Sequence, residues 1–169
     1  MNIREVLNRQ SPAMKGTIIA TVLLIAGFSL WCQLSPGKPR GATTAYYTTD
    51  DGQTTFVDDF FRGYPFDVDG KPAVRAYMFR TAKGRLFVGY LERYTDAGLK
   101  ALGPVLSMNV SRERIRAGME DVAERYTEVK KPNDPNAKWY PSGSARGASV
   151  VEGVTSPDGP DDVFGMVFP

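Results

Sequence analysis

The chain has no histidine and a single cysteine, and each scarcity narrows the chemistry open to it. Without histidine it lacks the commonest general base and the commonest metal ligand at neutral pH. With only Cys32 it can form no intramolecular disulfide, and that thiol sits within an apolar run where it is no nucleophile. A strong charge of one sign is also missing: Lys and Arg number 21 against 19 Asp and Glu, with no basic stripe. Nucleic acid is therefore not an expected partner. No glycine-rich phosphate loop or dinucleotide fingerprint occurs. Composition thus points to a non-enzymatic protein with no catalytic, cofactor-binding or metal-binding residues and no cofactor.

What the sequence does have is a run of 19 uncharged residues at 16–34, GTIIATVLLIAGFSLWCQL. At ~1.5 Å per residue a helix of that length spans about 28 Å, close to the hydrocarbon core of a bilayer. The run is predicted to be a single transmembrane helix, with Trp31 at the membrane interface. Arg4, Arg9 and Lys15 precede it and favour a cytoplasmic tail at 1–15. A cleaved signal peptide is the rival reading, but the run is long for one and no small-residue cleavage site follows promptly. The expectation is an uncleaved signal anchor in a bacterial inner membrane, single-pass, with the C-terminal domain periplasmic and the lipid bilayer as one partner.

Residues 35–43 hold two prolines and two glycines and read as a linker. An α+β ectodomain is predicted over 44–131. Asp50-Asp51-Gly52 lies between two β-rich runs, a hairpin signal. Residues 73–80 and 85–94 read as the central antiparallel pair. A short helix from Thr95 or Asp96 is expected to stop at Leu102, before Gly103-Pro104. Ile115, Met119, Val122, Ala123, Tyr126 and Val129 form one apolar stripe, predicting a single amphipathic helix from Ser111 up to Lys130-Lys131-Pro132. The proline- and glycine-rich stretch 132–169 reads as an extended C-terminal arm. The predicted fold is therefore an antiparallel sheet of about four strands, one amphipathic helix and that arm.

The arm carries two apolar islands, and Trp139, Tyr140, Phe164, Met166 and Phe168 are the candidate partner-binding residues. A second reading places a ligand pocket at the aromatic cluster Phe60, Phe61, Tyr64 and Phe66. Asp67-Val68-Asp69-Gly70 opens like a calcium loop, but Lys71 and Met78 stand where oxygen ligands belong, so a turn is expected. Adjacent carboxylates at Asp58-Asp59 and Asp161-Asp162 point to opposite faces of a strand and do not make an acid–base pair.

With residues 47–56 (YTTDDGQTTF), 65–71 (PFDVDGK), the hairpin 80–95 (RTAKGRLFVGYLERYT), Val129-Lys130-Lys131-Pro132, Pro157-Asp158-Gly159 and the final Phe168-Pro169, the soluble part resembles a group of small single-span bacterial envelope proteins. The resemblance covers most of the soluble chain and implies a membrane-held ectodomain without a known activity. Thr81 and Ser156 stand where that group has cysteines, which implies that the two positions lie close together. The expected function is an accessory or scaffold subunit of an envelope membrane complex, with other envelope proteins as partners.

Overall fold

The structure is a computed structural model and describes residues 41–134 and 136–169. Among these no helix is long and apolar enough to cross a membrane, so none of them forms the expected single-pass, signal-anchor span. Residues 16–34, with Trp31 and Cys32, lie outside the described residues.

Among the described residues the expected sheet of about four strands is an antiparallel sheet of eight, and the expected single amphipathic helix is one of three helices. The strands are β1 (Thr44–Thr48), β2 (Phe56–Asp59), β3 (Phe66–Val68), β4 (Lys71–Thr81), β5 (Leu86–Tyr94), β6 (Thr127–Lys130), β7 (Tyr140–Pro141) and β8 (Phe164–Val167). The helices are α1 (Asp96–Leu106), α2 (Arg112–Tyr126) and α3 (Ala145–Glu152). The main strand order is β2-β1-β4-β5-β6-β7, and β3 and β8 also pair with β4.

The β1–β2 hairpin forms because its loop satisfies its own polar groups. Asp50 accepts from the Thr54 amide at 2.9 Å and the Thr54 hydroxyl at 2.5 Å, which hold its carboxyl down at about 2. Asp51 (φ 64°) and Gly52 (φ 91°) then reverse the chain in the left-handed region. The β4–β5 register shifts between Tyr77 and Met78, leaving Gly89 as the extra residue of a bulge. A Cβ there would stand 2.4 Å from the Phe79 ring, so the position has room only for glycine.

Two helix ends differ from expectation. Helix α1 runs through Gly103-Pro104 to Leu106, because Val105 docks against Gly118 of α2 and Leu106 packs on the core. Helix α2 stops at Tyr126, so Val129 is a strand residue. Thr127 turns extended (φ −96°, ψ 152°), and Thr127–Lys130 pairs with Leu91–Tyr94. Pairing of a β-branched run with a waiting strand outweighs helical periodicity here.

One apolar cluster lies where β1 and β5 meet α1 and α2, around Tyr47, Tyr64, Tyr94, Leu102 and Met119. A second lies under α3, around Phe79, Tyr90, Val129 and Val150. That second cluster overturns the extended arm: residues 41–169 pack as one unit, and Tyr140, Val150, Val154 and Phe164 from beyond 132 are used in it. Helix α3 is capped by Ser144, whose Oγ accepts from the Gly147 amide at 3.0 Å. Gly147 sits so close to β7 that a Cβ would stand 2.2 Å from the Pro141 carbonyl oxygen. Gly147→Ala is therefore expected to destabilise the domain by about 1–3 kcal/mol in urea denaturation. A free arm would show no change.

Candidate interaction surface

Strand β8 is delivered to the sheet by a pinned turn. After α3, Val154 packs into the second cluster. Ser156 Oγ donates to Asp162 Oδ2 at 2.6 Å and accepts from the Asp158 amide at 3.1 Å. Asp158 in turn pairs with Arg85, beyond the β4–β5 turn, at 3.0 Å. The segment around Ser156 is thus tied to the end of the hairpin that carries Thr81. From there Phe164, Gly165, Met166 and Val167 pair with Thr81, Arg80, Phe79 and Met78.

Among the described residues β8 pairs with β4 alone, so its other edge presents unused N–H and C=O groups. The remaining edge strands carry protection. Strand β2 ends in Asp58-Asp59, β3 has three residues with Asp67 exposed, and β7 has two and closes with Pro141. Short edges, charges and proline all discourage pairing with another chain. From Val163 to Pro169 there is no charge. Val163 is 79% exposed, Met166 38% and Phe168 40%.

The candidate partner-binding residues therefore separate. Phe164 is half-buried, edge-on to Phe79 and Phe87 at 5.7 and 5.6 Å. Met166 and Phe168 are exposed beside it. Trp139 lies elsewhere, stacked over Arg93 at 4.4 Å, with Lys130 at 5.4 Å. It borders a cavity of about 190 Å³ floored by Val74 and Leu91. The charges around that cavity are spent on each other: Arg93 donates to Glu128 at 2.9 Å, and Lys130 is ion-paired with Asp51 at 2.6 Å. Tyr140 belongs to β7 and pairs with Val129. Val163 opens the second apolar island but stands outside the 164, 166, 168 alternation from which the candidates were drawn.

The aromatic cluster serves the core. Tyr64 is fully buried between Tyr47 and Tyr94, and Phe60, Phe61 and Phe66 pack against the same cluster. None of the four lines the 190 Å³ cavity or the one described below. Beneath them lies a buried polar network. Arg75 is stacked near Phe60 (4.4 Å) and Tyr64 (4.6 Å) and donates to the Phe60 carbonyl at 3.0 Å. Its cross-strand neighbour Glu92 accepts from the Tyr64 hydroxyl in a short bond and from the Tyr77 hydroxyl at 3.1 Å. Burial pushes both phenols well above their ordinary range. Apart from the buried Arg75 Nε, which has no hydrogen-bond partner, the groups are enclosed and bonded within the core, which is the arrangement of a structural network.

Elsewhere Asp58 pairs with Arg62, and Asp69 (φ 53°) with Gly70 makes the β3–β4 turn, where the Gly70 amide donates to Asp67 at 3.2 Å. No cluster of acidic, histidine or cysteine side chains suited to a metal ion occurs among the described residues. No known protein family, curated protein or solved structure matches the chain.

Proposed function

We propose that this domain is a non-enzymatic accessory or scaffold subunit that holds a partner protein by accepting one of its extended strands along β8. The observation that carries this reading is the contrast between edges: β8 alone combines an open backbone with an uncharged, apolar flank. Main-chain hydrogen bonds to an added strand would supply affinity, and side-chain contacts with Met166 and Phe168 would supply selectivity. The partner segment is extended and apolar, with a basic residue at the end that meets exposed Asp161. The setting in a bacterial envelope complex rests on the sequence resemblance, and the partner is accordingly another envelope protein.

A photo-reactive residue placed at position 166 of the full chain in its native cells should give one discrete adduct with another protein. The same probe at Val57, 50% exposed on the charged edge β2, should not. Adding Met166→Lys should weaken recovery of that partner roughly tenfold, since a charge on a strand edge opposes pairing. Equal adducts from both edges, or an adduct only with a second copy of this chain, would overturn the proposal.

A further inference from the structure

A second cavity, of about 370 Å³, opens between the loop after β6 and helix α3, and β8 contributes nothing to it. Lys131, Lys138 and Arg146 all line it. Arg62, Arg85, Arg93, Arg125 and Lys130 each have a carboxylate partner within 3.2 Å. None of the three cavity cations has an ion-pair partner among the described residues. Lys131, Lys138 and Arg146 are exposed, as surface cations usually are, but the three share one concavity, where like charges repel one another.

The other lining groups suit the same kind of guest. Asn136 brings a side-chain amide and Tyr140 a phenol. The Tyr140 ring lies 5.7 Å from the Arg146 guanidinium. Asp134 is the one acid on the rim, and its carboxylate accepts from the Asn136 backbone N–H at 2.9 Å, so three cations face one acid. The volume is at the lower end of the range of small-molecule sites.

We propose that this cavity binds a small molecule bearing phosphate groups, with Lys131, Lys138 and Arg146 sharing its charge. The site is independent of the β8 reading, and either can fail alone.

Isothermal titration of the full chain with inorganic pyrophosphate at low ionic strength tests it. Saturable one-site binding is expected, stronger than for sulfate. Lys138→Gln with Arg146→Gln should weaken it roughly tenfold or more. Lys83→Gln with Lys100→Gln removes the same charge from exposed positions outside the cavity and should change affinity less than about twofold. Urea midpoints of both double variants verify folding. If the cavity pair alone lost its fold, Lys138→Gln by itself would decide, with a weaker loss expected and unchanged affinity counting against the site. Absence of pyrophosphate binding, or equal losses from the two double variants, would overturn the proposal. So would co-sedimentation with phosphatidylglycerol vesicles alongside indifference to pyrophosphate, which would assign the cations to a lipid headgroup.

Discussion

Arg75→Ala is expected to leave the domain at the edge of folding. The side chain is 8% exposed, it stands across the strand pair from Glu92, and it satisfies the Phe60 carbonyl. Removing it leaves a partly buried carboxylate surrounded by tyrosines, an unpaired carbonyl and a hole beside Phe60 and Tyr64. Leaving a buried polar group without its partner costs about 1–3 kcal/mol, more for a charged one, against a total stability of roughly 5–15 kcal/mol for a domain. Thermal unfolding should fall by roughly 10–20 °C. Arg75→Met combined with Glu92→Gln should be less destabilised than the sum of the single changes, because the second removes the charge that the first strands. A loss below about 1 kcal/mol for Arg75→Ala would show the network to be incidental.

The second large effect is expected at alkaline pH. Burial raises the pKa of Tyr47, Tyr64, Tyr77, Tyr90 and Tyr94, in Tyr94 to about 12. In the unfolded chain each phenol ionises near pH ~10. Above that pH the unfolded state therefore binds fewer protons than the folded state, and stability falls as pH rises. One phenol removes at most about 1.4 kcal/mol per pH unit, but five act together, enough to unfold a domain of ordinary stability within about one to two units. Tyrosinate absorbance and circular dichroism should change in one shared step near pH ~11–12. Ionisation of these five phenols with the fold intact would contradict their enclosure.

Parts of this architecture were legible because they are local. Asp50-Asp51-Gly52 announces its hairpin, and the stripe from Ile115 to Tyr126 announces α2. Val129 continued the stripe numerically, yet its partner is Glu92 of β5, and no local pattern reports a partner thirty-odd residues away. The stretch beyond Pro132 read as an arm because two-residue β7 and eight-residue α3 are too short to show a period. The alternation of Phe164, Met166 and Phe168 was visible, but not which of them would be covered. That depends on Phe79 and Phe87 standing beneath Phe164 and nothing standing beyond Phe168. The buried network needed the register that sets Arg75 opposite Glu92. The cavity cations were invisible because Lys131 and Lys138 flank a loop and Arg146 belongs to the unforeseen helix.

The central claim is that β8 is an edge left open for a partner strand, and amide hydrogen exchange of the full chain, free and in its isolated complex, tests it most directly. In the free chain the outward-facing amides between Val163 and Phe168 should exchange quickly while those of β4 and β5 are protected. In the complex the same amides should slow by roughly a hundredfold or more, with β2 unchanged. Protection of β2 instead, or fast exchange along β8 in both states, would contradict it.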